Sequence, residues 1–305
     1  MEYVLQTKDL TKVFGKRAAV SGMNLNVYKG DIYGFIGRNG AGKTTFIRMV
    51  AGLARPSKGT IQLFGSNDLD TQRSKTGTMI ENPAVFPQMT AKQNLHYYCR
   101  LLGLDPVTKI PEMLNLVGLS DTGKKKAKNF SLGMKQRLAI GISLLGDPEF
   151  LMLDEPINGL DPTGIKEIRE LILHLNRERK ITILISSHIL GELSRIANRY
   201  GVINNGVMVT EFTNEELEQR CTGELEIKVD KTAEAVNIIN GMIEKDAVKV
   251  LDEHTIRVSK NLEKAGAINT ELAKNGITVN SSSIVGQDLE AYFMQLMEST
   301  EKSYV

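Results

Sequence analysis

The sequence predicts an α/β fold with an inserted helical lobe, followed by a small α+β domain. Three observations carry this. Short apolar runs alternate with helix-period segments through residues 1–220, the pattern of a sheet with helices on its faces. A glycine-rich loop, Gly37-Arg38-Asn39-Gly40-Ala41-Gly42-Lys43-Thr44-Thr45, lies between one such run and one such helix. Beyond residue 220 the element order changes to β-α-β-β-α-β, the ferredoxin-like split pattern.

Composition sets the outer limits. A chain of 305 residues suggests two domains, at roughly 150 residues each. Apolar residues make up 41%, ample for buried cores. The net charge of +2, from 38 basic and 36 acidic residues, carries no bias towards nucleic acid or anionic lipid. No apolar run approaches the ~18 residues of a membrane span. The start, Met1-Glu2-Tyr3-Val4-Leu5-Gln6, lacks the basic and apolar segments of a signal peptide. Cys99 and Cys221 are far apart and fit no disulfide framework or metal spacing, so two reduced thiols in the cytosol are expected.

Taken in order, residues 3–7 and 23–28 read as strands, the second alternating at Leu25 and Val27. Residues 32–36 form the strand that feeds the glycine loop, and 46–53 the helix after it. Strands follow at 60–64 and 77–80, the latter ending at Glu81-Asn82-Pro83. From 90 to 119 the pattern is helical, interrupted near Asp105-Pro106. A helix over 132–145 has Ser131 as its N-cap and Gly146 as its stop. Residues 90–146 thus interrupt the strand–helix alternation as an inserted lobe.

Residues 150–153 are a buried strand ending at Asp154-Glu155-Pro156. A helix over 163–179 leads to an apolar strand, 181–185, ending at Ser186-Ser187-His188. A helix is expected from there to about 198. Strands at 200–203 and 207–212 flank Asn204-Asn205-Gly206, a hairpin signal. Thr213-Asn214-Glu215-Glu216 has the capping-box pattern of a helix start. The domain boundary is expected near Cys221-Thr222-Gly223. Beyond it come strand 224–229, helix 232–244, strands 247–251 and 254–258, helix 261–275, strand 277–285 and helix 288–298. That part holds no catalytic motif.

The loop carries the chemistry. Residues 37–44 fit G-x-x-x-x-G-K-S/T, in which backbone N–H groups turn inward around phosphate oxygens. The helix start and Lys43 add positive charge, and Thr44 offers a hydroxyl to Mg²⁺. Asp154, at a strand end, can hold Mg²⁺ through water. Glu155 can act on an attacking water as general base. Phe130-Ser131-Leu132-Gly133-Met134-Lys135-Gln136-Arg137 would start a helix whose N-terminus, capped by Ser131 and the N–H groups from Leu132 to Met134, is an anion site; standing alone, the stretch reads as an ordinary capped helix. The run Lys124-Lys125-Lys126, with Lys128, reads as a solvated face. His96, His174 and His254 have no strand-end context. Phe14, read singly, suits a core position.

The stretch 130–137 resembles the signature of the ATP-binding cassette (ABC) ATPases, usually L-S-G-G-Q. Ser131 and Gly133 match it, Phe130, Leu132 and Met134 depart, and Gln136-Arg137 match the family pattern downstream of it. Asn158-Gly159-Leu160-Asp161 resembles the family's D-loop, and His188 its switch histidine. Phe14 matches the aromatic position that stacks on adenine. Arg38 stands where the family commonly has Pro. Glu81 stands where it generally has a Mg²⁺-ligating Gln. A Glu there is typical of ATPases resembling lantibiotic-immunity transporters, and the chain is similar to these and to bacitracin-type efflux ATPases.

The resemblance implies a P-loop NTPase cassette over 1–220, a mixed sheet with its helical lobe at about 90–146, and an accessory domain over 221–305. It implies ATP held by Phe14, Gly37, Arg38, Asn39, Gly40, Ala41, Gly42, Lys43, Thr44 and Thr45. Mg²⁺ falls to Thr44, Glu81 and Asp154. Ser131, Gly133 and Met134 of a second copy would close over the γ-phosphate, with Glu155 as base and His188 positioning that phosphate. It further implies a homodimer, a separate polytopic permease as the sole membrane contact, no nucleic acid, and a cytoplasmic place on the inner face of the membrane. The implied task is export of an antimicrobial peptide or antibiotic. A non-transport ABC ATPase and a nucleotide-gated regulator stay open as alternatives. A GTPase does not fit, because no Asn-Lys-x-Asp motif occurs.

Overall fold

The computed structural model describes residues 2–81, 85–220, 223–285 and 292–293. Asn82 and Pro83, the expected boundary residues Cys221 and Thr222, and the expected helix over 288–298 apart from 292–293 lie outside the described residues. The chain divides into two units, one over Met1–Asn214 and one over Glu215–Leu296.

The first unit opens with β1 (Tyr3–Phe14) and β2 (Arg17–Tyr28), an antiparallel hairpin. Both strands are longer than their apolar patterns suggest, because β1 carries register shifts and a left-handed Asp9 (φ 50°) that break the alternation. Next come β3 (Ile32–Ile36), α1 (Lys43–Val50), β4 (Lys58–Leu63), the short α2 (Leu69–Arg73) and β5 (Thr76–Met79). The lobe supplies α3 (Ala91–Leu101), α4 (Pro106–Leu116) and α5 (Leu132–Ser143). Then follow β6 (Phe150–Asp154), α6 (Pro162–Arg177), β7 (Thr182–Ser187), α7 (Leu190–Leu193), β8 (Arg199–Asn204) and β9 (Val207–Thr213).

Local chemistry sets several of these limits. Thr90 and Gln93 form a reciprocal capping box at the start of α3. Asp105 caps α4 and Pro106 opens it, which accounts for the break in the helical pattern of the lobe. The helix expected from His188 to about 198 is cut to the single turn of α7. The cause lies at Asn198: its Oδ1 accepts from Ile32 N at 3.0 Å, and its own N–H reaches Ile32 O at 3.1 Å. Those bonds draw the chain out of the helix and into β8 beside β3.

Two sheets result. The larger has the order β5-β6-β7-β3-β8-β9, parallel throughout except for the antiparallel edge strand β9. The strands β3, β6 and β7 are buried along their whole length, as expected of strands covered on both faces. The strands β1, β2 and β4 do not join it; they form a separate antiparallel sheet, β2-β1-β4. Phe46, Ile47 and Val50 of α1 share one core with Leu5 and Leu25 of that sheet and with Phe35, Phe150 and Leu184 of the larger one. The glycine loop is therefore anchored on both sides, and three strand ends, those of β3, β6 and β7, meet beside it.

The helix α8 (Asn214–Arg220) starts where the division falls, ahead of the expected boundary. The second unit then runs β10 (Glu224–Val229), α9 (Thr232–Met242), β11 (Val248–Val250), β12 (Thr255–Val258), α10 (Ala265–Lys274) and β13 (Val279–Val285). Its sheet is antiparallel in the order β11-β12-β10-β13. So β12 lies between β10 and β11, the two strands joined by α9, which is the split β-α-β order. Ile227, Ile256 and Val258 pack there with Ile239, Ile268 and Leu272 from the two helices.

Candidate nucleotide site

The loop from β3 to α1 is shaped by contact as much as by sequence. Gly42 has φ 111°, and a Cβ on it would lie 2.4 Å from Ala19 O, so no other residue fits. Lys43 folds back over the loop and is buried. Its ammonium donates to Gly37 O at 2.6 Å and to Arg38 O at 3.3 Å, and lies 3.1 Å from Glu155 Oε1. That ion pair lacks hydrogen-bond alignment, and Oε1 is a buried oxygen with no donor among the described residues.

The ends of β6 and β7 complete the arrangement. Asp154 is fully buried and pairs in register with Ser186 across the parallel strands. Thr44 Oγ1 donates to Asp154 Oδ2 at 2.7 Å, and Ser186 Oγ donates to Oδ1 at 2.5 Å. The same Ser186 Oγ accepts from Glu155 N at 3.0 Å. Glu155 is left-handed (φ 51°), a conformation that costs a non-glycine residue energy and recurs at active sites. His188 Nδ1, past the end of β7, lies 2.9 Å from Glu155 Oε2. Thr44, Asp154, Ser186, Glu155 and His188 are thus one connected chain of polar groups, with Lys43 joined to it through Glu155.

This network borders a cavity of about 570 Å³. Asn39, Gly40 and Gly42 to Thr45 line one part of it; Phe14, Arg17, Ala18 and Ala19 line another. Phe14 is 55% exposed, so its ring is a presented surface and not core. Lys12 Nζ sits 4.8 Å from the ring centroid and is itself fixed to Arg55 O at 2.8 Å. Ala41 is buried behind the loop, where its carbonyl accepts from Gly206 N at 2.8 Å.

Two sets of expected residues stand apart from this cluster. Glu81 is left-handed (φ 57°), and its carboxylate meets Arg48 Nη2 at 2.8 Å, with no bond to Thr44 or Asp154. Ser131 caps α5, its Oγ accepting from Met134 N at 3.2 Å. Ser131, Gly133 and Met134 do not line the cavity, and Leu132 beside them is 42% exposed. Lys125, from the basic run, is laid over the Phe130 ring at 5.8 Å. Conversely, Ser186, Arg17 and Asn205 stand at the site although the sequence pattern did not single them out. Only Ser186 carried a signal, as a hydroxyl residue at an apolar strand end.

Hard oxygen donors suit Mg²⁺. Thr44 Oγ1 and Asp154 Oδ2 form such a pair at the mouth of a phosphate-shaped loop, so the residues present fit that ion. A buried loop lysine, a hydroxyl–carboxylate pair and a second carboxylate held by a histidine define a phosphate-loop nucleoside triphosphatase. Comparison with known proteins narrows the class. Residues 20–158 match the family model described as ABC transporter. The chain is 41% identical to the bacitracin transport ATP-binding protein BcrA of Bacillus licheniformis, over 97% of this chain and 98% of that one. It is 42% identical to the lantibiotic transport ATP-binding protein SrtF of Streptococcus pyogenes, over 68% of this chain and 90% of that one. Among solved structures, cbiO1 from Clostridium perfringens, part of the ABC transporter complex cbiONQ, matches with a TM-score of 0.66 at 25% identity, covering 71% of this chain and 91% of that one.

The chain belongs to the ATP-binding proteins of the ABC transporter family. It is an ATPase that binds and hydrolyses ATP. Among the described residues no helix is long and apolar enough to cross a membrane.

Proposed function

We propose that this chain is the ATP-hydrolysing subunit of an exporter that moves an antimicrobial peptide or antibiotic through a separate polytopic permease, giving self-protection or resistance. The names of its relatives support the cargo class. The observation that carries the chemistry is the polar chain from Thr44 to His188 beside the cavity.

The residues divide the work. Phe14 offers its ring to adenine, and the N–H groups of residues 37–45 hold the phosphates. Thr44 and Asp154, with Glu81 recruited from Arg48, would hold Mg²⁺, which when bound offsets phosphate charge. Triphosphate draws Lys43 towards itself and away from Glu155. As the attacking water bonds to the γ-phosphorus and the bond to the β–γ bridging oxygen breaks to release ADP, the freed Glu155 carboxylate takes the water's proton, held in place by His188 on its other oxygen and by Ser186 at its backbone. Ser131, Gly133 and Met134 do not line their own cavity, which suits a head-to-tail homodimer in which they close over the partner copy's γ-phosphate. ATP then favours the closed pair and hydrolysis releases it. In this reading the subunit is cytoplasmic, lies on the inner face of the membrane through its permease alone, and has no nucleic-acid partner.

Glu155→Gln tests the central assignment. The variant is expected to bind ATP and dimerise while turnover falls by about 10²–10⁴. Turnover at the wild-type rate would remove Glu155 from the role of base. Co-purification of a polytopic membrane subunit with the tagged full chain tests the transporter reading.

A further inference from the structure

The turn between β8 and β9 has Asn205 and Gly206 at φ 47° and 82°. A two-residue hairpin turn with both central residues left-handed selects Asn-Gly, so turn chemistry accounts for the residue types. It does not account for the position of the amide. Asn205 lines the nucleotide cavity, opposite no hydrogen-bonding partner of its own among the described residues.

Two hydrogen bonds and close packing fix where along the cavity it stands. Gly206 N donates to Ala41 O at 2.8 Å, tying the turn to the phosphate loop. Gly206 O accepts from Ser21 N at 2.8 Å, tying the same turn to β2, the strand that carries Arg17, Ala18 and Ala19. The packing is close: a Cβ on Gly206 would lie 2.8 Å from Ala19 O, and one on Gly42 would meet both Ala19 O and, at 3.3 Å, Ile203 Cδ1. Asn205 therefore sits at the seam between the wall that begins at Phe14 and the loop that begins at Gly37. A nucleotide with its base on the first and its phosphates in the second has its ribose at that seam.

We propose that Asn205 is a nucleotide-binding residue that reads the ribose. Its side chain has one acceptor oxygen and two N–H donors. A ribose hydroxyl is donor and acceptor at once, so the amide can pair with it in either sense. The turn is locked to both walls, so the backbone that carries the amide is in place before the nucleotide arrives. This rests on the cavity being the ATP site.

The test uses the purified full chain with Mg²⁺ and calorimetric titration of ADP, 2′-deoxy-ADP and 3′-deoxy-ADP, diphosphates that avoid turnover. The wild type should prefer ADP to at least one deoxy form by about three- to tenfold, the worth of one net hydrogen bond. Asn205→Gly should weaken ADP by the same factor and abolish that preference. Glycine accepts this backbone conformation, so the turn survives the substitution. The proposal is overturned by a wild type with no preference, by a variant that keeps wild-type affinity and preference, or by equal losses for all three nucleotides. Failure of the wild type to bind any of them would instead remove the reading of the cavity itself.

Discussion

Arg48 and Glu81 are joined at 2.8 Å, guanidinium to carboxylate, with both side chains about half exposed. Arg48 lies four residues beyond Thr44 on α1, one helical turn further from the loop. So the carboxylate expected at the metal is held within a turn of it by a competing cation. An exposed pair of this kind contributes only about 0–1 kcal/mol, which a divalent ion can readily outbid. Arg48→Met should free Glu81 and lower the Mg²⁺ concentration needed for half-maximal ATPase activity by a few-fold. Glu81→Gln should raise that concentration or change the rate and its coupling to transport. Magnesium titrations of the three proteins decide the point: unshifted midpoints and rates would leave Glu81 a structural residue.

Ser186 is the joint of the site. Its hydroxyl donates to Asp154 and accepts from the backbone of Glu155, so one atom sets both carboxylates. Ser186→Ala leaves a buried Asp154 oxygen without that donor, at a cost of about 1–3 kcal/mol, while the Glu155 N–H keeps its second bond, to Ser186 O at 3.2 Å. We expect a lower urea midpoint together with a turnover loss of at least tenfold, and partial recovery of both in Ser186→Thr. A variant with wild-type turnover would show that Asp154 and Glu155 hold their places without it.

The contrast between Ser186 and Lys43 shows what a linear pattern can carry. The form of the loop was legible because it depends on neighbours in sequence: glycines, lysine and threonine follow one another within a single short stretch. The positions of Asp154, Glu155 and His188 were legible because a polar residue at the end of an apolar strand stands out. The role of Ser186 depends on the register of β6 against β7, which no run of residues displays. The same limit explains β1, β2 and β4, whose strand character was readable but whose separation into a second sheet was not. It explains α7 as well, where an apolar helical pattern yields to bonds from Asn198 to the distant Ile32. The partner of Glu81 belongs in this group too: the substitution was visible in sequence, and Arg48 was not.

The last prediction concerns β3 and β9, away from the nucleotide. Tyr33 Oη donates to Glu211 Oε1 at 2.5 Å in a largely buried setting. Burial pushes the Glu211 carboxyl above its usual range, with the Tyr33 bond and the nearby Arg199 opposing. Burial, with the Glu211 charge, also pushes the Tyr33 phenol well up. A carboxyl raised on folding holds its proton more tightly in the native state than in the unfolded chain. Its contribution is then fully present below the unfolded value of about 4.3 and is lost as pH rises through the folded value. Above that, the native state carries a poorly solvated charge. Glu211→Gln removes the charge and keeps an acceptor for Tyr33. It should therefore be more stable than the wild type at pH 7–8, with the gap closing towards pH 4–5. Tyr33→Phe, which strips the carboxylate of its donor, should instead cost about 1–3 kcal/mol at neutral pH. Urea midpoints of the three proteins across that range check both signs. A Glu211→Gln variant less stable than the wild type at pH 7–8 would mean that the ionised carboxylate and Arg199 together outweigh the burial.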